Sequence, residues 1–125
     1  MKNLIPFLLP LFITQIAIAQ ITPDQFYTPV NTGSNMTLGV NTNDLNDFIG
    51  ESLGAFNAEG TCIGLAIIQN QFFTMAIWGD DTGTPELDGL QDGEDASFAV
   101  LTSDGYVVSI SELANFNGYV TNSLV

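Results

Sequence analysis

Six carboxylates fall within the stretch WGDDTGTPELDGLQDGE, residues 78 to 94: Asp80, Asp81, Glu86, Asp88, Asp92 and Glu94. No Lys, Arg or His lies among them or anywhere after Lys2. Carboxylates at this density repel one another, so they must spread apart, take up protons or share a cation. Calcium suits such a set, because it takes about 6–8 oxygen ligands and needs neither imidazole nor thiolate. Asp80, Asp81, Glu86, Asp88 and Asp92 are the candidate calcium ligands. The alternative is a solvated loop in which Asp-Gly and Gly-Glu serve as turn formers. An EF-hand register is excluded. With Gly89 at its sixth position, Thr84 would stand where a carboxylate is needed and Pro85 would follow it, and no flanking helices are visible. Magnesium fits less well, since it keeps several waters and usually borrows phosphates. Trp78 directly precedes the acidic run. A ring beside carboxylates and a cation suits carbohydrate, and the competing role for such a side chain is core packing.

Catalytic inventories are short. Two carboxylates can cleave a glycosidic bond when held about 5–9.5 Å apart across a cleft, and Glu51, Asp80 and Glu86 are the residues that would have to do it. The chain has no His for general-base work and no Ser-His pair. After Lys2 it has no Lys for a Schiff base, and it has no phosphate-cradling glycine loop. The expectation is a protein that is not an enzyme, with a small glycoside-acting enzyme as the lesser alternative. The single cysteine, Cys62, rules out an intrachain disulfide, and with no His it rules out a zinc cage of thiolates and imidazoles. It sits in the apolar run TCIGLAII and reads as a buried thiol, because no cation is near to activate it.

Charge limits the partners further. The chain has 14 acidic residues, and its one basic residue is Lys2. Nothing beyond Lys2 can offset phosphate charge, so nucleic acid and anionic membranes are excluded as partners. Cations, neutral surfaces and basic partners remain. Acidity serving solubility in salt is the plain alternative. The opening MKNLIPFLLPLFITQIAIAQ places a Lys before an apolar run that ends in Ala17-Ile18-Ala19, the layout of a secretory signal peptide cleaved after Ala19. Pro6, Pro10, Thr14 and Gln15 interrupt the run, which argues against a spanning helix of about 20 apolar residues. The expected location is secreted, either extracellular or periplasmic. A freed Gln20 would be able to cyclise to pyroglutamate.

Elements able to carry the acidic run must come from the rest of the chain. ITPDQFYTPVNTGSN reads as an extended lead-in over 20–34. Strands are expected in NMTLGV (35–40), ESLGAFN (51–57), TCIGLAIIQ (61–69), QFFTMAIWG (71–79), ASFAVLTS (96–103) and YVVSISEL (106–113). A last strand is expected over Tyr119 to Val125. Asp104-Gly105 is a two-residue hairpin signal. Asp44 to Phe48 allows one helical turn, and no longer helical stripe is present. CIGLAII lacks alternation, which suits a central strand covered on both faces. The strand glycines suggest kinks or close backbone approach. Short strands separated by turn signals indicate an all-β, antiparallel β-sandwich of one domain over 35–125, following the signal peptide 1–19 and the lead-in.

An ordered set of residues carries a family resemblance. It runs Ile49-Gly50-Glu51-Ser52-Leu53-Gly54-Ala55-Phe56, then Gly60-Thr61-Cys62-Ile63-Gly64, then Met75-Ala76-Ile77-Trp78-Gly79-Asp80-Asp81. Thr84-Pro85-Glu86-Leu87-Asp88-Gly89-Leu90 and Gly93-Glu94 complete it. This pattern, over roughly 35 to 102, resembles a β-sandwich module of secreted surface proteins from bacteria with type IX secretion. The resemblance implies export and a non-catalytic role within surface architectures. The basic C-terminal sorting domain used on that route does not follow the pattern here, so periplasmic residence or simple export stands beside surface attachment. The function expected is a non-catalytic binding or adhesion module with a cell-surface or polysaccharide ligand and a calcium-dependent acidic loop. The alternative is a structural subunit of an extracellular assembly, joined to neighbouring protein subunits through edge strands.

Overall fold

The computed structural model describes residues 20–41, 43, 45–81, 83, 85, 89–111, 113, 116, 118–120 and 123. The expected signal peptide lies outside them. Six strands form: β1 Asn35–Val40, β2 Ser52–Phe56, β3 Cys62–Ile67, β4 Phe73–Trp78, β5 Ser97–Leu101 and β6 Val107–Ile110. Every pairing between them is antiparallel. The expectation of an all-β chain holds, and the helical elements whose bounds are described are single 3-10 turns, Pro23–Gln25 and Asn46–Phe48. None of the acidic residues falls within these six strands. The strands are therefore free to bury both of their faces, and the charge stays in the connections. Among the described residues no helix is long and apolar enough to cross a membrane.

One sheet pairs β1 with β4, and the other runs β3-β2-β5-β6. Period-two alternation decides which side chains face inward. In the two-stranded sheet the opposed pairs Met36–Ile77, Leu38–Met75 and Val40–Phe73 all point to the core. In the four-stranded sheet Leu53 opposes Val100 and Ala55 opposes Phe98, with Val100 opposite Val108 and Phe98 opposite Ile110. These residues join the same apolar cluster as those of the other sheet. Leu38, Leu53, Ile77 and Val100 are fully buried there. The two sheets thus share one core. Leu45 and Phe48 of the 40–50 connection, with Leu113, Phe116 and Tyr119 from beyond β6, pack into it.

The outer face of the four-stranded sheet carries a second apolar cluster of Phe56, Cys62 and Ala99, flanked by Leu65 and Val107. The lead-in covers it. Ile21 and Phe26 pack there, the Phe26 ring meeting Phe56 edge-on at 5.0 Å between centroids. Gln25 Nε2 donates to the Gly60 carbonyl at 2.8 Å. A Cβ on Gly54 would stand 2.7–2.9 Å from the Phe56 and Phe26 rings, so only glycine lets this segment lie flat. The 20–34 segment is therefore a packed strap. Cys62 is buried, as expected, and donates to the Gly64 carbonyl at 3.2 Å.

Three expectations need correction. CIGLAII forms β3, which is an edge strand, not a central one. Its lack of alternation has two sources: its outer face lies under the strap, and a bulge opposite Ala55 and Phe56 shifts its register. The β5–β6 connection is a three-residue loop, not a two-residue one. Leu101 opposes Val107, the Thr102 N–H donates to the Tyr106 carbonyl, and the Gly105 N–H closes back on the Thr102 carbonyl. With Gly105 at φ 89°, this is a turn followed by a glycine bulge. Tyr119 and Val120 are not in a strand, and 121, 122, 124 and 125 lie outside the described residues. Tyr119 is instead an anchor, its ring buried in the core. The chain end still reaches β1, where the Thr37 N–H donates to the Ser123 carbonyl at 2.9 Å.

Candidate functional site

β4 ends at Trp78, and the chain then leaves the sheet carrying the acidic residues. Its departure is pinned from two sides. The Gly79 N–H donates to the Ser34 carbonyl at 2.8 Å, and the Thr32 hydroxyl donates to the Gly79 carbonyl at 2.5 Å. The excursion returns to its own start. Gly79 bridges Leu90 in parallel, the Asp80 N–H donates to the Leu90 carbonyl at 2.8 Å, and the Leu90 N–H donates to the Trp78 carbonyl at 3.1 Å. A Cβ on Gly89 would stand 2.5–2.6 Å from the Trp78 carbonyl oxygen and the Gly79 carbonyl group, so the neck closes only around glycine. The chain leaving at Asp80 and returning at Gly89 is thereby tied at its base.

Tyr119 lies beneath this neck. Its backbone holds the returning chain, accepting from the Gly93 N–H at 2.7 Å and donating to the Glu94 carbonyl at 2.9 Å. Its phenol oxygen ends against Gly79, where any side chain would collide with it. That oxygen is buried and has no hydrogen-bond partner among the described residues. The next turn is closed from both ends, the Glu94 N–H donating to the Gln91 carbonyl and the Gln91 N–H to Glu94 Oε1.

The five candidate ligands divide. Asp80 and Asp81 are half-buried at the start of the loop, and Asp92 is exposed beyond its return. Asp81 Oδ1 accepts from the Gly83 N–H at 2.9 Å, as in an Asx turn. Each of the three has an interaction partner. Glu86 and Asp88 lie outside the described residues. Among the described residues no three acidic or cysteine side chains form a group that could hold a metal ion.

Trp78 stands half-buried on the face of β4 that alternates with Met75 and Ile77, and it belongs to neither apolar cluster. Trp78 itself directly precedes the acidic loop. Glu51 is elsewhere: its carboxylate accepts from the Ser103 N–H at 2.9 Å, and its carbonyl accepts from the Ile68 N–H. Ile68 precedes the start of β4, whereas Asp80 leaves its end. At about 3.3 Å per residue the strand separates Glu51 and Asp80 by roughly 20 Å, too far for a hydrolytic pair.

A concavity lined by none of these residues lies elsewhere. A groove of about 380 Å³ runs along the outer face of the four-stranded sheet, lined among others by Asn57, Asp95, Ser97, Ser109 and Ser111. Its floor includes Ala99, and Gln20 and Ile21 of the strap form a wall. Sequence reasoning missed it, because its parts are about 90 residues apart in the chain. The one local signal is the Asn57-Ala58-Glu59-Gly60 turn, where Asn57 Oδ1 accepts from the Glu59 and Thr61 N–H groups. Burial pushes the Cys62 thiol above its ordinary value, which leaves it protonated and inert at neutral pH. No protein-family model matches the chain, and neither a curated protein nor a solved structure does.

Proposed function

We propose that this chain is an exported, non-catalytic binding or adhesion module, a β-sandwich whose acidic loop takes up calcium beside a ligand-contacting Trp78. The ligand class is a neutral polysaccharide or another cell-surface component. The observation that carries this reading is the placement of Trp78: a half-buried ring on the sheet face away from the core, next to a loop tied shut at Gly79 and Leu90. A tied neck lowers the entropy cost of gathering carboxylates around an ion. Asp80, Asp81, Glu86, Asp88 and Asp92 supply the oxygens. The lack of basic side chains after Lys2 favours cations and neutral surfaces over anionic ones. Export is supported by the N-terminal apolar run and by the resemblance to type IX surface modules.

The test is a glycan array probed with the purified protein, with millimolar calcium and with chelator. Calcium-dependent binding to a neutral glycan, weakened at least tenfold in Trp78→Ala, is the expected result. Binding that ignores both calcium and Trp78 overturns the site assignment, and binding to no glycan or cell surface overturns the function.

A further inference from the structure

The four sheet edges are treated differently. β1 has its outer edge met by the chain end, through the Thr37 N–H and the Ser123 carbonyl. β3 and β4 border each other where the two sheets meet. β6 is the last strand of its sheet among the described residues. The ladder is anchored by the Thr102 N–H donating to the Tyr106 carbonyl, so the next directly bonded pairs are Val100–Val108 and Phe98–Ile110. Alternation then turns the N–H and C=O of Val107 and Ser109 away from β5, and no described backbone group takes them. The strand carries no charge and no proline, two of the usual defences of an edge.

We propose that β6 receives an extended, basic segment of another protein, which adds a strand through the outward backbone groups of Val107 and Ser109. Charge selects the occupant. Asp104 lies in the hairpin loop before β6, and Asp95 lies in the groove that begins at Ser109, Ile110 and Ser111 just beyond it. A second copy of this chain would bring 14 further acidic residues and no base beyond Lys2, so edge-to-edge self-pairing is opposed by repulsion. A strand with alternating Lys or Arg meets the opposite situation. Its backbone completes the ladder, and its charged side chains find Asp95 and Asp104 near the two ends. The acidic loop at 80–89 takes no part, so this edge can fail or hold independently of the calcium site.

The test uses the purified full protein in chelator and a capped decapeptide of alternating lysine and threonine. Calorimetry should show binding that weakens with added salt and is absent for the matching glutamate–threonine peptide. Ser109→Pro removes an outward N–H without touching the β5 ladder and should weaken binding at least tenfold. Ser109→Ala keeps that N–H and should bind as the parent does. In the parent, the peptide should slow hydrogen exchange at the Val107 and Ser109 amides. Absence of binding, or equal binding by Ser109→Pro with no new protection at these two amides, overturns the proposal. Protection of the same amides that rises with protein concentration alone, without peptide, assigns the edge to a second copy and also overturns it.

Discussion

On the inner face of the four-stranded sheet, Leu53, Ala55, Phe98 and Val100 meet side chains of the other sheet; on its outer face, Phe56, Cys62 and Ala99 meet Ile21 and Phe26 of the lead-in. The inner contact is broad and joins two sheets. The outer one is a strap over part of the surface, and Ile67 on that same face stands 51% exposed. The same strands thus close one face by tertiary packing and the other by a short segment that reads as polar. The inner face should carry most of the stability, and the outer face should be the one that opens.

The largest expected effect is on the inner side. Leu53→Ala empties a fully buried position between the sheets and should cost about 2–5 kcal/mol in urea unfolding. A cost no greater than that of a surface change would break the comparison. Phe26→Ala should cost less, about 1–3 kcal/mol, because the Phe26 ring is only partly buried. Its sharper signature is local. Maleimide labelling of Cys62 should accelerate in native buffer in Phe26→Ala, whereas Leu53→Ala should expose the thiol only through unfolding. Equal labelling in the two variants would show that the strap does not guard the outer cluster.

Smaller effects probe single groups. Tyr119→Phe removes a buried hydroxyl that has no partner among the described residues and should stabilise by about 1 kcal/mol. A loss of stability would reveal a partner for that oxygen beneath the acidic loop. Cys62 offers the gentlest test. Burial raises its pKa, so the folded chain holds the thiol proton more tightly than the unfolded chain. That contribution is complete below the ordinary thiol range and is lost as pH climbs through the raised value. Urea midpoints of the parent should fall across this alkaline window, and those of Cys62→Ala should fall less.

The six strands were legible because they are short apolar, β-branched or aromatic runs with turn-forming residues between them; each lies within the span expected from sequence. The strap was not. Ile21 and Phe26 are two apolar residues among Thr, Pro, Asp and Gln, and the pocket they fill is made by Gly54, Phe56 and Cys62, which are distant in the chain. Tyr119 was misread for a related reason: Val120 and Leu124 suggest a strand, while the space over Gly79 that captures the ring is a tertiary feature. At the site, the loop and its acidity could be read directly from residue types. The neck could not, because Gly79, Gly89 and Leu90 show their mutual fit only once β4 has ended beside Ser34.

The claim that the acidic loop gathers a cation is tested most directly by calorimetric titration of calcium into the metal-free protein, in parallel with the double variant Asp80→Asn, Asp81→Asn. The account predicts a single binding event near the 10⁻⁴–10⁻³ M dissociation constants typical of extracellular modules, about that order here, lost in the double variant. A flat titration up to about 10 mM calcium, well above that range, would contradict it, as would heat that survives unchanged in the double variant.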